Sequence, residues 1–263
     1  MGRHERGTEP GRSNPHDVSM NALELQDKML RVSRQPSGEP EIFYSLQGEG
    51  VTAGTPSVFL RLGMCNLTCT WCDTKYTWDW ESYDYEREVV SLPASEVEEL
   101  VLGFDCSHLV ITGGEPLMQQ RALGPLALSL RRRGFYCEVE TNGTLAPSPE
   151  MVEAISQWNV SPKLGNSGNR RERRELAQPL EAFRDLSNAY FKFVVVEPSD
   201  VDEVRAIVDR YDIVAQRVIL MPEGTTAQAI EERGKWVADA CTEHGFRFTT
   251  RLHILLWGDE RGR

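Results

Sequence analysis

Three cysteines, Cys65, Cys69 and Cys72, fall within eight residues of the stretch GMCNLTCTWCDTKYTW (63–78), and the next, Cys106, lies more than thirty positions on. Three close thiols are an odd number for disulfides and one short of a closed four-thiolate metal site. Two kinds of centre suit them. Zinc with a distant His or Cys as fourth ligand would be a closed structural site. A [4Fe–4S] cluster takes one thiolate per iron, so three thiolates leave one iron open to an outside ligand. Trp71, between the second and third cysteines, sets an apolar ring beside either centre, where a flat base can stack or the local core can pack. Asp73 and Thr74 follow the third cysteine. A hydroxyl there suits a Mg²⁺ shell, because that ion keeps several waters and takes few protein ligands.

More chemistry stands at the ends of apolar runs. In LVITGGEP (109–116), Gly114 allows close backbone approach to a ligand and Glu115 can accept hydrogen bonds from an ammonium group. ETNGT (140–144) opens with Glu140, SPK (161–163) supplies Ser161, Pro162 and Lys163, and LMPEG (220–224) supplies Met221, Pro222, Glu223 and Gly224. EIFYSLQGEG (41–50) concentrates Leu46, Gln47, Gly48 and Glu49; an amide beside a carboxylate matches the donor and acceptor edge of a pterin or guanine-like ring. Arg61 offers a bidentate fork for a carboxylate. The last twelve residues, LHILLWGDERGR, hold His253 in an apolar run and end on Arg263; a final strand or turn docked on the core would account for them equally.

The elements that must position these residues are legible from about Pro56 onward. SVFLRL (57–62), HLVIT (108–112), YCEVET (136–141), NVS (159–161), YFKFVVV (190–196) and RVILM (217–221) read as strands. The longer stretches starting at Ser95, Gln119, Pro149, Ser199 and Thr225 read as helices. Alternating strand and helix predicts an α/β fold with a parallel sheet. About six parallel strands are too few for a closed eight-stranded barrel, so the expectation is a partial, incomplete TIM-type barrel with helices outside. In such a sheet the functional loops lie at the strands' C-terminal ends, where every motif above falls.

The 263-residue length suits one large domain, residues 30–263, preceded by a polar extension over 1–29 that is expected to be disordered. SRQPSGEP (33–40) reads as a loop, and NRRERRE (169–175) as the solvated face of a helix or its lead-in. No apolar run has membrane-spanning or signal-peptide character. Six unevenly spaced cysteines fit a reducing, cytoplasmic setting rather than a disulfide scaffold. A net charge of −11 speaks against broad nucleic-acid binding and for a small substrate.

The Cys-x3-Cys-x-aromatic-Cys loop after the first barrel strand resembles that of the radical S-adenosylmethionine (SAM) superfamily. EIFYSLQGEG and LHILLWGDERGR are similar to the opening and closing motifs of its 7-carboxy-7-deazaguanine synthases, and the likeness runs from about residue 30 to Arg263. It implies a cluster on Cys65, Cys69 and Cys72, whose open iron SAM chelates, and a 5′-deoxyadenosyl radical that removes hydrogen from C6 of 6-carboxy-5,6,7,8-tetrahydropterin. The ring contracts, ammonia leaves, and hydrogen returns to regenerate SAM; the enzyme is a carbon–nitrogen lyase of queuosine and 7-deazapurine biosynthesis, with no catalytic residue beyond cluster and SAM. The resemblance puts Mg²⁺ on Thr74. It puts SAM on Trp71, Gly114, Glu115, Glu140, Ser161, Pro162, Lys163 and Met221, Pro222, Glu223, Gly224. Substrate would meet Leu46, Gln47, Gly48, Glu49, Arg61, Thr112, His253 and Arg263. A homodimer and a flavodoxin or ferredoxin as electron donor are implied in the same way. RQPSGEP, between LRVS and EIFYSLQGEG, departs from the family pattern, and residues 165–186 receive no role. Two alternatives stand beside this: an activase that makes a glycyl radical on a partner protein, and a non-enzymatic three-cysteine zinc or redox-sensing module.

Overall fold

A computed structural model describes residues 25–263. The expected disordered extension lies outside those residues for its first 24 positions; of the remaining five, Leu25 is buried in the core and Met29 opens a strand.

Ten strands among the described residues form one sheet. They are β1 (Met29–Ser33), β2 (Ile42–Leu46), β3 (Pro56–Leu62), β4 (Val89–Pro93), β5 (His108–Gly113), β6 (Tyr136–Thr141), β7 (Gln157–Val160), β8 (Ala189–Val195), β9 (Val218–Pro222) and β10 (Arg247–Phe248). From β3 the sheet runs through β5, β6, β7, β8 and β9 to β10, every pairing parallel. This is the expected partial barrel, with the two-residue β10 added at one edge. β1, β2 and β4 add an antiparallel flank at β3, which the sequence reading did not anticipate. The reason is local: β1, β2 and β4 are only five residues each, and the polar QGEG follows directly on β2. The RQPSGEP insertion is a tight excursion between β1 and β2. It closes through an Arg34–Pro40 bridge and turns at Gly38, where φ is +94°.

Central strands are apolar on the face that the helices cover, whereas their inner face carries polar side chains such as Glu138, Glu140, Gln157, Asn159 and Lys192. All five residues of β9 and six of the seven in β8 are buried. The covering helices are α1 (Ala94–Leu102), α2 (Gln120–Arg132), α3 (Pro149–Ala154), α4 (Ala177–Arg184), α5 (Ser199–Arg210) and α6 (Ala227–His244). A short α7 (Leu252–Trp257) forms from the apolar part of the last segment, in place of a strand or turn. Helix ends obey local chemistry. Ser148 caps α3 by accepting from the Met151 N–H at 3.4 Å, with Pro149 following, and Thr226 caps α6 by accepting from the Ala229 N–H at 3.2 Å. Gly245, at φ +69°, ends α6. α2 presents Ala122, Leu123, Leu126, Ala127 and Leu130 to the sheet, the 3.6-residue stripe expected of a covering helix. No helix among the described residues is long and apolar enough to cross a membrane.

Trp158 of β7 is fully buried against Phe183 of α4, ring centroids 5.3 Å apart, and its indole N–H has no partner. Trp158→Ala is expected to cost about 3–5 kcal/mol of unfolding free energy. Trp158→Phe, which keeps the ring packing and deletes the unpartnered N–H, should cost less than half of that; urea denaturation of both variants measures the difference.

Candidate active site

Every motif singled out above reaches the same end of the sheet. A cavity of about 380 Å³ opens there, at the C-terminal ends of β3 and β5 to β9, and the last five residues, 259–263, form part of its wall. The β3–β5 register brings Arg61 beside Thr112 and Leu62 beside Gly113, so the cysteine loop and the Gly-Gly turn leave the sheet side by side. That closeness needs glycine. A Cβ on Gly114 would overlap the Met64 carbonyl oxygen, and one on Gly113, at φ +122°, would overlap the backbone of Leu62. With side chains absent, Gly114 N–H donates to Leu62 O and Glu115 N–H to Met64 O, both at 2.8 Å.

The three thiols line this cavity together. Burial pushes the Cys65 thiol up to about 12, and nearby Glu115, Cys69 and Cys72 push the same way against a backbone N–H from Leu67. Burial also raises Cys69, with Lys163 pulling it back. Such thiols stay protonated until a cation deprotonates them, as a coordinating metal does outright. Sulfur ligands select zinc, copper(I) or iron–sulfur centres over hard ions, so the donor set fits an iron–sulfur cluster. Among the described residues no three His, Cys, Asp or Glu side chains converge as a cage for a single ion.

Of the residues expected at SAM, Trp71, Gly114, Glu140, Ser161, Lys163, Met221 and Glu223 line the cavity, whereas Glu115, Pro162, Pro222 and Gly224 do not. Lys163 donates to Ser161 Oγ at 2.9 Å and stands 5.6 Å from the centroid of the Trp71 ring. Glu115 is fully buried beneath the floor. Burial raises its pKa, while N–H donors from Asn142 (2.7 Å) and Leu117 (3.0 Å) and the Thr141 hydroxyl (2.8 Å) pull it back. Its observed work is to tie the end of β5 to the end of β6.

The expected substrate residues Leu46, Gln47, Gly48, Glu49, Arg61, Thr112, His253 and Arg263 all line the cavity, as does Thr74. Glu140 belongs with them by contact, since Thr112 Oγ1 donates to it at 2.7 Å and Gln47 Nε2 lies 3.4 Å from its other oxygen. Gln47 also donates to the buried Glu138, which further accepts from Thr52 at 2.7 Å and Gln157 at 3.0 Å. Arg61 is held by Glu41 at 2.8 Å, leaving part of its fork toward the cavity. The final segment is stitched to EIFYSLQGEG: Leu252 N–H donates to Gly48 O at 2.9 Å, and a Cβ on Gly48 would overlap the His253 ring.

Two cations in this wall were not anticipated. Arg251 bonds Glu49 at 3.1 Å, the Gly224 carbonyl at 2.7 Å and the Asp73 carboxylate. Lys192 pairs with Glu49 and lies 3.7 Å from Glu140. Burial alone would raise the pKa of Glu49, yet Lys192 and Arg251 together hold it well below the usual carboxylate range. Lys192 had an available signal, because a lone lysine inside an otherwise apolar strand is seldom buried unless paired. Arg251 had none, since its partners are 178 and 202 positions away in the chain.

A Radical SAM superfamily model matches residues 61–196. The chain is 43% identical to the 7-carboxy-7-deazaguanine synthase of Pyrobaculum aerophilum, over 85% of this chain and 96% of the relative. It is 38% identical to the Halobacterium salinarum protein of the same name (83% and 90% covered) and 31% identical to that of Escherichia coli K12 (82% and 96%). The crystal structure of QueE from Escherichia coli shares the fold, with a TM-score of 0.66 at 24% identity, covering 92% of this chain and all of that one.

Removing the Arg251 side chain leaves Glu49 with Lys192 alone and takes a partner from the more exposed Asp73. Arg251→Ala should cost about 1–3 kcal/mol by chemical denaturation, and Arg251→Lys, which keeps charge without the fork, should recover less than half. A pH dependence follows from His253, whose pKa burial lowers, with Glu49 opposing and Arg251 reinforcing. With the folded pKa below the ordinary value of about 6.5, the unfolded chain takes up that proton first, so stability is full above about pH 6.5 and falls as pH drops. Glu49, depressed in the folded state, adds its own loss only as pH falls toward the ordinary carboxylate value of about 4.3. The urea midpoint should therefore be lower at pH 5.5 than at pH 7.5, and the gap should narrow in His253→Gln.

Proposed function

The chain belongs to the radical SAM superfamily and to its 7-carboxy-7-deazaguanine synthases, and from that premise we propose that it converts 6-carboxy-5,6,7,8-tetrahydropterin into 7-carboxy-7-deazaguanine with loss of ammonia. The observation that carries this reading is a shared space. Cys65, Cys69 and Cys72 open into the same cavity as Gln47, Glu49, Arg61 and the terminal Arg263, segments that are unrelated in sequence.

The cluster on the three thiols, together with SAM, supplies the means of taking a hydrogen atom from carbon. The polypeptide's own part is orientation and exclusion of water. Trp71 offers SAM an apolar face, and Lys163, held by Ser161, offers it a cation. Glu140 and Gln47 present an acceptor and an amide to the rim of a pterin ring, and Thr112 fixes the Glu140 carboxylate at 2.7 Å. The part of Arg61 not committed to Glu41 receives the substrate carboxylate. Thr74 would be the residue to hold Mg²⁺, an ion that would supply charge neutralisation for that carboxylate and so help to fix the pose. Residues 259–263 form part of the cavity wall, so they would flank a seated ring. A flavodoxin or ferredoxin as electron donor and a homodimeric assembly, which rest on the family resemblance, and a cytoplasmic setting, which rests on the cysteine usage, complete the reading. The glycyl-radical activase would need a groove for a protein partner, and a cavity of about 380 Å³ suits a small molecule.

Anaerobic reconstitution followed by an assay with the carboxytetrahydropterin tests the proposal. Deazapurine absorbance should grow only with Mg²⁺ present, and SAM should be returned rather than consumed. Thr74→Val should raise the Mg²⁺ concentration for half-maximal turnover about tenfold, a loss of about 1.4 kcal/mol. Absence of turnover by protein carrying its full iron and sulfide would sink the assignment.

A further inference from the structure

Residues 166–173, which no motif explains, wrap the outer side of the cysteine loop. Asn166 Oδ1 accepts from the Trp71 indole at 3.1 Å, while its amide nitrogen is anchored on Val194 O at 3.0 Å and Asp200 at 2.9 Å. Ser167 O accepts from Thr70 N–H at 3.0 Å, and Arg173 reaches Asn66 O at 2.9 Å. Between these contacts lies Asn169, 8% exposed, whose Nδ2 stands 3.3 Å from Cys69 Sγ.

The orientation of that amide is forced. Thr68 N–H lies 3.0 Å from Asn169 Oδ1, and a backbone N–H can only donate, so the amide oxygen must face Thr68. The NH₂ group is thereby turned to the sulfur. Cys69 is 7% exposed, so little water competes for it, and a hydrogen bond counts for more in such surroundings. On the opposite side of the loop the Trp78 indole N–H stands 3.3 Å from Cys72 Sγ. Two of the three candidate cluster ligands therefore each receive a side-chain N–H.

We propose that Asn169 and Trp78 are positioning residues that set the reduction potential of the cluster, making it easier to reduce. Reduction adds negative charge to the cluster and its thiolates, and an N–H aimed at sulfur stabilises the more negative state. The inference rests on the reading that Cys65, Cys69 and Cys72 hold the cluster.

The test is a potentiometric titration of the reconstituted full-length protein, followed by electron paramagnetic resonance, on wild type, N169A, N169D and W78F. Iron and sulfide content are measured in parallel, and each midpoint is read from the loaded fraction. W78F and N169A should move the midpoint negative by a threefold or greater change in the reduced-to-oxidised ratio, about 28 mV on a scale of 59 mV per decade for one electron. N169D, which replaces the donor with a negative charge, should move it furthest. Midpoints that coincide with wild type, or rise, in cluster-loaded variants overturn the inference while leaving the thiolate reading intact. A wild-type protein that binds no iron and sulfide overturns the reading beneath it. Should one variant fail to load, the other two midpoints decide.

Discussion

One guanidinium holds the site together. Arg251 joins Glu49 from the loop after β2, Asp73 from the cysteine loop and the Gly224 carbonyl from the loop after β9. A cation this deeply buried is tolerated only when its charge is matched and its donors are used, and here two carboxylates and a carbonyl do both. The arrangement stays together or fails together, because the loss of any partner leaves a charge away from water. Glu49 is in turn shared with Lys192, so the β8 strand is drawn into the same network. Segments expected at substrate, at the cluster and at SAM are thus coupled electrostatically, with no covalent link between them.

Around that network, small side chains decide how close the backbones come. Gly113 and Gly114 let the β5 turn lie directly on the start of the cysteine loop, and Gly48 lets the His253 ring rest on the loop after β2. The cation–π contact of Arg261, 3.4 Å from the Tyr76 ring centroid, with ion pairs to Glu41 and Glu88, seats the end of the chain over the rim. Glu41 also holds Arg61 and accepts from the Tyr76 hydroxyl at 3.0 Å, so the tail and the proposed substrate-carboxylate anchor share one buried acid.

The parallel strands were legible because their signal is local: short β-branched and aromatic runs, each followed by a helix with a 3.6-residue stripe. β1, β2 and β4 were not, since a five-residue strand with mixed polarity carries no period strong enough to read. α7 was missed for a related reason. LHILLW suits helix or strand, and the Leu252 N–H bond to Gly48 O that starts the helix there comes from a segment about two hundred residues earlier.

For the site, residue type and spacing alone identified the three thiols, the Gly-Gly turn after β5 and the concentration of amide and acid in EIFYSLQGEG, because each belongs to a continuous stretch whose chemistry is its own. Tertiary structure alone brought Glu115 to Thr141 beneath the floor, Glu140 to Gln47 and Thr112, and Asn169 to Cys69 across a hundred residues of chain. Those assignments depend on distances between groups far apart in sequence. Such distances exist only once the sheet has set its register and the helices have closed over it.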